Sequence, residues 1–507
     1  MSGVHLGDLV RLAALPEVDL GAAASYVVTG VRYDSRRVQP GDVFVAVPGT
    51  SVDGLAFVPD ALARGAVAIV SDRPVAVTGE VPLVLVPSVR AALADLAAAF
   101  FGFPARRLYV TGITGTDGKT TSTFLLSHVL EGLGRATGLL STVAFKRGEQ
   151  WEDNLARQST LEAPEIQEAL AVMVSRGVQD AVVEATSHGL VLQRVRRCAF
   201  DAALVTNVTS EHLDFHGTRA NYLAAKALLL EAVAEAEGKQ RTPIAAINMD
   251  DEGSASLLGR ARGRVVTFGT SGTVEVRGSV LHGDAQGSEF VVEAGGERHI
   301  VRTRLPGHFN VQNCLGILAL VYGRGFPLRL AVPHIATFQG VPGRMRSVAC
   351  GQPFSVIVDY AHTAASLEKV LLTLRPLTSG RLIVVFGSAG ERDREKRPAM
   401  GAVAARVADY AVFTDEDPRK EPSEQILAAI AEGARAAGAQ GGRDYICIAD
   451  RATAIAHAIS VAVADDVVLL AGKGHEKSMI LAGGSIPWDE EGTARQALGA
   501  AGFEAGE

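Results

Sequence analysis

Leu108-Tyr-Val-Thr-Gly112-Ile-Thr-Gly115-Thr-Asp-Gly118-Lys119-Thr-Thr121, followed by Ser-Thr-Phe-Leu-Leu-Ser-His-Val-Leu-Glu-Gly132-Leu-Gly134, is the stretch that decides the fold of this 507-residue chain. A short apolar run, Leu108 to Val110, enters a loop punctuated by Gly112, Gly115 and Gly118. Lys119, Thr120 and Thr121 then open a helical pattern that stops near Gly132 and Gly134. A strand, a glycine loop and a helix in that order make a phosphate cradle. Backbone N–H groups at the helix N-terminus face an anion, a lysine reaches the β/γ-phosphates, and a hydroxyl is offered to Mg²⁺. The spacing departs from G-x-x-x-x-G-K-[ST]: Ile113 stands at the first glycine position, and the glycine sits one residue earlier.

Outward from this loop, the chain is too long for one hydrophobic core and predicts about three domains. With 48% apolar and 21% charged residues it reads as a folded chain. A net charge of −7 and the lack of any basic block argue against a nucleic-acid partner, which would need clustered positive charge. The N-terminus shows no signal-peptide pattern, and nowhere do 18 apolar residues run unbroken, so no membrane span is expected. Cys198, Cys314, Cys350 and Cys447 have no metal or redox spacing and read as small core residues of a cytoplasmic protein.

Residues 1–104 alternate apolar runs (43–47, 66–70, 84–86) with alanine-rich stretches, which predicts a compact α/β unit. Residues 105–341 continue from the phosphate loop with expected strands at 181–184, 203–206 and 244–247. Alternating strands and helices of this kind predict a parallel sheet covered on both faces. Residues 264–305, rich in β-branched residues and glycine, predict a small antiparallel insertion. A third unit, 342–507, carries expected strands at 356–359, 382–386, 410–413 and 467–470. No repeat or low-complexity linker interrupts them.

Polar clusters fall at the ends of these strands, where an open parallel sheet binds its ligands. Glu184-Ala-Thr-Ser-His188-Gly places a carboxylate at a strand end, although a capped turn before a helix would look the same. In Thr206-Asn-Val-Thr-Ser-Glu-His212-Leu-Asp214-Phe-His216-Gly, the histidines and aspartate suit either metal ligation or N-capping, and spacing alone does not decide. Lys226, on an alanine-rich helix, reads in isolation as a solvated residue.

Together these segments resemble the Mur ligases. Further matching segments are Leu305-Pro-Gly-His-Phe-Asn310-Val-Gln-Asn313, Val341-Pro-Gly-Arg344-Met, Asp359-Tyr-Ala-His362 and Phe386-Gly-Ser-Ala-Gly-Glu-Arg392-Asp. Two more, Tyr33-Asp-Ser35-Arg36 and Gly472-Lys-Gly-His475-Glu476, resemble the UDP-N-acetylmuramoyl-tripeptide synthetase type within that family. The resemblance spans essentially the whole chain. It implies a three-domain α/β architecture, with a central P-loop-type parallel sheet and a Rossmann-like C-terminal domain.

It also implies the chemistry. ATP phosphorylates a carboxylate of a UDP-linked muramoyl dipeptide, and the amine of a free diamino acid displaces phosphate to form an amide. Such transfer rests on positioning and charge neutralisation. Gly115, Thr116, Asp117, Gly118, Lys119, Thr120 and Thr121 match the nucleotide loop, Asn313 a residue near the adenine, and Arg344 and Asp359 the hinge and third-domain groups. Thr120, Glu184, His212 and Lys226 match the Mg²⁺ site, Lys226 as a carbamate, which turns a cation into an anion beside the metal. The UDP-dipeptide positions are Tyr33, Ser35, Thr50, Gln158, Ser159, Thr160, Thr186 and Arg194. The amino-acid positions are Arg392, Glu416, Asp417, Pro418, Arg419, Gly472 and Glu476. A monomer is expected.

The chain departs from the family pattern at Asp117 (usually Asn), at Gln158-Ser159 (usually Asn-Thr) and at Leu192, a place often polar. In Thr414-Asp-Glu416-Asp417-Pro418-Arg419, Glu416-Asp417 replaces Asp-Asn of the meso-diaminopimelate signature. Arg392 and Arg419 offer guanidinium forks to that substrate's carboxylates, whereas the added acid favours the bare ammonium of L-lysine or L-ornithine. A folylpolyglutamate synthetase would lack Tyr33-Asp-Ser-Arg. A non-catalytic relative would have lost Lys119, Glu184, His212 or Lys226, and a simple NTPase leaves Gly472 to Glu476 unexplained.

Overall fold

In the computed structural model of the protein, which describes residues 3–49, 52–77, 80–154, 158–209, 211–234 and 239–503, the deciding stretch is the strand Tyr109–Thr114 leading into the helix Lys119–Gly132. The helix ends through Leu133, and Gly134 takes φ +79°, the left-handed stop that glycine adopts without a Cβ clash. The chain forms two compact units, Met1–Arg277 with Leu315–Ala331, and Gly278–Cys314 with Val332–Glu507.

In the first unit six parallel strands lie side by side in the order Thr137–Leu140, Asp180–Glu184, Tyr109–Thr114, Ala202–Val205, Ile244–Asn248 and Arg264–Gly269. The antiparallel strands Ala144–Arg147 and Gln150–Asp153 extend one edge. Strands Asp180–Glu184, Ala202–Val205 and Ile244–Asn248 are buried at every residue, as a sheet covered on both faces requires. The phosphate-loop strand stands between the two strands toward which the chain departs in opposite directions, so its C-terminal end is a topological switch point.

The same unit holds a four-stranded parallel sheet, Gly30–Arg32, Asp42–Val45, Ala68–Ser71 and Leu83–Leu85. Its residues alternate between two cores. Val43, Val45 and Val70 pack with Leu93 and Leu96 of the helix Val89–Phe100, while Phe44 and Ile69 pack with Val58 and Ala61. Helix Val89–Phe100 then packs on Ala163–Ser175 of the larger sheet's cover. Asp95 reinforces that junction, accepting from Arg196 at 2.9 Å and from Arg197 at 2.6 Å.

The second unit is built on a sheet ordered Arg346–Ser347, Ser355–Asp359, Val467–Ala471, Leu382–Phe386, Tyr410–Phe413 and Tyr445–Cys447, parallel except at its first strand. Leu382, Val384 and Phe386 enter the core under helices Ala364–Leu374, Lys396–Val407 and Ser423–Ala436. Ile383 and Val385 enter the opposite core under Arg451–Val461 and Glu490–Ala500. Each such buried aliphatic side chain contributes about 1.5–3 kcal/mol. This two-faced burial is the Rossmann-like arrangement that the family resemblance implied for residues 342–507.

Two expectations need correction. Residues 264–305 are not one antiparallel insertion. Arg264–Gly269 continues the parallel sheet beside Ile244–Asn248, because Val266 and Phe268 have a buried face to fill, and the antiparallel hairpin is Gly287–Ala294 with Glu297–Thr303. Cys198, Cys314 and Cys350 are buried, but Cys447, on the edge strand Tyr445–Cys447, is exposed. Among the described residues no helix is long and apolar enough to cross a membrane.

Candidate active site

Three neighbouring strands of the first unit end together: Glu184 pairs with Ile113, and Val205 with Thr114. The segments that follow them are the phosphate loop, Glu184–Thr186 and Thr206–Asn207. Gly115 sits at φ +153°, where a Cβ would lie 1.9 Å from Thr206 Oγ1, and Gly118 at φ +79° turns the chain into the helix. The loop is pinned from one side: Asn207 O accepts from Thr116 N at 2.8 Å, Asn207 Oδ1 from Asp117 N at 2.9 Å, and Asp117 O from Thr206 Oγ1 at 2.6 Å. The departure at Asp117 therefore leaves the loop's backbone bonds intact. Thr116 Oγ1 lies 3.1 Å from the Tyr222 hydroxyl and accepts from Thr209 N at 3.0 Å.

Glu184 is buried at the strand end and saturated with donors. Thr120 Oγ1 donates to both oxygens, at 3.2 and 3.0 Å, Thr142 N at 3.0 Å and Thr142 Oγ1 at 3.0 Å. Its backbone carbonyl accepts from Thr160 Oγ1 at 3.0 Å. Thr186 Oγ1, 3.0 Å from Thr160 Oγ1, caps the short helix Ser187–Val191 through Gly189 N. Arg194 reaches the same corner, donating to Thr160 O at 3.2 Å and pairing with Glu162 at 2.7 Å. With its amide oxygen turned toward Arg194, Gln158 accepts from both terminal nitrogens at 2.8 and 2.9 Å. Ser159 is half-buried beside them. Leu192 ends the helix and is partly exposed.

Lys226 is the reverse of the solvated residue its helix pattern predicts. It is 1% exposed, and its ammonium donates to Gly115 O at 2.7 Å. Lys119 folds back on the same loop, donating to Gly115 O at 3.0 Å and Thr116 O at 2.6 Å. Burial first, then the Lys119 charge, holds the Lys226 amine well below the ordinary lysine range. His212, at φ +55° ahead of the helix Leu213–His216, is placed differently. Its ring lies edge-on to His188 at 4.8 Å, in a cluster with Phe215 and His216. Burial and the neighbouring imidazoles hold His188 below the usual range.

Thr120 and Glu184 are thus joined, Lys119 and Lys226 are joined, and His212 stands in the imidazole cluster. Among the described residues no three His, Cys, Asp or Glu side chains converge as a ready-made metal cluster. The donor set does fit Mg²⁺, which takes hard oxygens from one or two carboxylates and completes its shell with substrate phosphates. Glu184 and Thr120 supply such oxygens at the helix that cradles phosphate.

Tyr33 and Ser35 follow the strand Gly30–Arg32. The Tyr33 hydroxyl donates to Glu165 at 3.1 Å, and burial together with that carboxylate pushes the phenol up; Ser35 is buried. Thr50 lies outside the described residues.

The second unit carries most of the remaining positions after the C-terminal ends of its parallel strands, with Asn313 on the helix His308–Gly323 and Arg344 just before the strand Arg346–Ser347. Asp359 accepts from Met345 N at 2.9 Å and from Ala361 N at 2.9 Å, and burial raises its carboxyl. Gly343 comes so close to Gly474–His475 that a Cβ would lie 2.4 Å from His475 N. Arg344 lies over the Tyr360 ring, 5.4 Å from its centroid. Asn313 Nδ2 donates to Asn310 Oδ1 at 3.0 Å. The loops carrying Arg392 and Pro418 are tied by Gly390 N donating to Asp417 O at 2.8 Å. Arg392 itself is exposed, and Arg419 takes φ +57°, its N–H donating to Ile480 O at 2.9 Å. Glu416 is buried beneath Gly472, which raises its carboxyl.

The expected extra charge of Asp417 is not a bare acid but a paired one. Lys473, fully buried, donates to Asp417 Oδ1 at 2.8 Å and to Glu476 Oε2 at 2.7 Å, and Ile480 N donates to the same Asp417 oxygen at 3.0 Å. Sequence reasoning missed Lys473, although it lies inside the quoted Gly472 to Glu476 segment. It also missed Thr142 and Asn207, whose long-range partners no local pattern reveals.

A phosphate cradle, a donor-saturated carboxylate and a buried lysine on these sheets define the class of protein. Family models match throughout: the Mur ligase family catalytic domain at residues 27–101, the Mur ligase middle domain at 113–321, and the Mur ligase glutamate ligase domain at 343–474. The chain belongs to the Mur ligase family, whose members are ATP-dependent ligases. It is 47% identical over 487 residues to a UDP-N-acetylmuramyl-tripeptide synthetase of Roseiflexus sp. (strain RS-1), covering 94% of this chain and 95% of the relative. It is 42% identical over 486 residues to the UDP-N-acetylmuramoyl-L-alanyl-D-glutamate–2,6-diaminopimelate ligase of Synechococcus elongatus, covering 94% and 95%. A solved structure of such a diaminopimelate ligase superposes with a TM-score of 0.72 at 29% identity, over 99% of this chain and all of the other.

Proposed function

We propose that the protein is an ATP-dependent tripeptide synthetase, joining a free diamino acid to UDP-N-acetylmuramoyl-L-alanyl-D-glutamate in the cytoplasm, as a monomer. The observation that carries this reading is the meeting of the phosphate loop, Glu184–Thr186 and Thr206–Asn207 at three adjacent strand ends, with Lys226 buried against the loop. Near-full-length identity to tripeptide synthetases favours it over a folylpolyglutamate synthetase.

In this reading residues 1–104 and the Gln158, Ser159, Thr160, Thr186 and Arg194 corner hold the UDP-dipeptide. Residues 105–341 hold ATP, and residues 342–507 hold the amino acid. Thr120, Glu184, His212 and carbamylated Lys226 would hold Mg²⁺, which supplies charge neutralisation at the phosphates when bound. Lys119, freed from the loop carbonyls, offsets charge on the transferring phosphoryl group. Arg194 is oriented by Glu162 to hold the acceptor. The incoming amino acid, held by Arg392, Arg419, Asp417 and Glu476, offers its amine to the acyl carbon, and the amide bond forms as the carbon–oxygen bond to phosphate breaks and phosphate leaves.

The test is phosphate release from ATP with UDP-N-acetylmuramoyl-L-alanyl-D-glutamate and a panel of amino acids. Release that depends on meso-diaminopimelate, L-lysine or L-ornithine supports the assignment, and competition among the three identifies the substrate. Release that ignores the muramoyl dipeptide would sink it.

A further inference from the structure

Lys473 is bracketed by two glycines in left-handed conformations, Gly472 at φ +108° and Gly474 at φ +51°. A Cβ on Gly474 would lie 2.8 Å from the Tyr360 side chain and 2.9 Å from its Cα, so this tight turn accepts only glycine there. The turn drives the lysine inward to 0% exposure. There its ammonium meets two carboxylates from different segments, Asp417 at 2.8 Å and Glu476 at 2.7 Å, whose side chains are only 7% and 14% exposed. A buried ammonium needs such partners, and a buried carboxylate needs such a donor. One positive and two negative groups leave the triad with a single net negative charge. Glu476, the more accessible carboxylate, also lies 3.5 Å from the Tyr360 hydroxyl.

We propose that Lys473 is the positioning and charge-setting residue of the amino-acid pocket: it clamps Asp417 and Glu476 and cancels one of their two charges, so that the pocket presents one net carboxylate to one incoming ammonium. This rests on the reading of residues 416–419 and 472–476 as the amino-acid site. Asp417, where an amide would leave the triad neutral, is then the partner that makes the lysine's charge useful. The pair acts as a unit, not as an added repulsive acid.

The experiment is a double-mutant cycle on the full chain, with Asp417→Asn, Lys473→Met and the double variant, reading KM separately for ATP, UDP-dipeptide and amino acid. Wild-type turnover is read first; if it ligates no diamino acid, the functional assignment fails, independently of Lys473. With turnover established, Lys473→Met leaves two unclamped carboxylates that repel each other out of position, and the amino-acid KM rises by about ten- to a hundred-fold, the span of one lost charge-assisted hydrogen bond. The KM values for ATP and UDP-dipeptide move far less. Asp417→Asn raises KM more for L-lysine and L-ornithine, whose distal group is a lone cation, than for meso-diaminopimelate, whose distal centre is neutral overall. The double variant restores the net charge and recovers at least half of the logarithmic loss of Lys473→Met. The proposal is overturned if the double variant is no better than Lys473→Met, or if all three KM values rise alike. Should Lys473→Met fail to fold, the double variant decides: cooperative melting with a near-native amino-acid KM upholds the charge-setting role, and failure of both to fold makes the lysine structural and ends the proposal.

Discussion

Lys119 and Lys226 donate to one and the same atom: the Gly115 carbonyl oxygen accepts from the first at 3.0 Å and from the second at 2.7 Å. Two ammonium groups on one acceptor repel each other, and the buried one yields its proton more readily. Once the buried amine has given up its proton, its nitrogen can bond to CO₂ with loss of a second proton, and the resulting carbamate would turn the repulsion into an ion pair. With ¹³CO₂, a carbamate carbon signal is expected in the wild-type protein and not in Lys226→Ala. That variant should lose at least about 100-fold in turnover and regain part of it with a small added carboxylate. A fully active Lys226→Arg enzyme would show that positive charge suffices.

The same burial predicts a trade between stability and activity. The Lys226 amine is held well below its ordinary value of 10.5, so below that pH the unfolded chain binds more protons than the folded one. Wild-type stability attributable to this group therefore rises with pH up to about 10.5 and is lowest once pH falls below the folded value. In bicarbonate-free buffer Lys226→Met should melt above wild type near neutrality, and the gap should narrow as pH approaches 10.5. Thermal melts across pH check the sign; a gap that widens with pH contradicts it.

Lys119→Ala removes the ammonium at the phosphate loop. Oriented charge of this kind is worth about 2.7–4 kcal/mol at a transition state, so turnover should fall by about 100- to 1,000-fold. The circular dichroism spectrum should stay native, because the lysine is only half-buried and Gly115 O keeps its bond from Lys226. Retention of more than about a tenth of the activity would count against the phosphate-loop assignment.

Arg194 is held by Glu162 at 2.7 Å and by Thr160 O at 3.2 Å. Lysine cannot reproduce that fork. Arg194→Lys should therefore weaken UDP-dipeptide binding by about 1.5–3 kcal/mol, read as a raised KM for that substrate with the KM for ATP little moved. An equal rise in both would assign Arg194 to folding.

Asp359 uses one oxygen for Met345 N and the other for Ala361 N. An amide can accept only once from that pair, leaving one backbone N–H facing an NH₂ group. Asp359→Asn should cost about 1–3 kcal/mol in urea unfolding; a variant as stable as wild type would show the two bonds to be dispensable.

The phosphate cradle was legible in the sequence because it is local. Apolar residues before Gly115, the left-handed glycine at 118 and the helix from Lys119 are all set within a few residues of one another. The buried runs at 181–184 and 382–386 were equally legible, since a strand covered on both faces must be apolar at consecutive positions. Three other strands were harder to read: Thr137–Leu140 and the edge strand Tyr445–Cys447 are short and carry no such run, and Arg264–Gly269 resembles a hairpin strand until its parallel neighbour is known.

By itself, the sequence determined the α/β alternation, the phosphate loop and the segments that would surround it, because these depend on periodicity and short-range chemistry. Only the tertiary structure decided how charges were paired. Lys226 looked solvated on its helix, yet it lies against Gly115, 111 residues away. Asp417 looked like a free acid, yet Lys473 neutralises it from 56 residues away. A charge's effect depends on its burial and on the nearest opposite charge. Both are fixed by the order in which the strands lie side by side, not by neighbours along the chain.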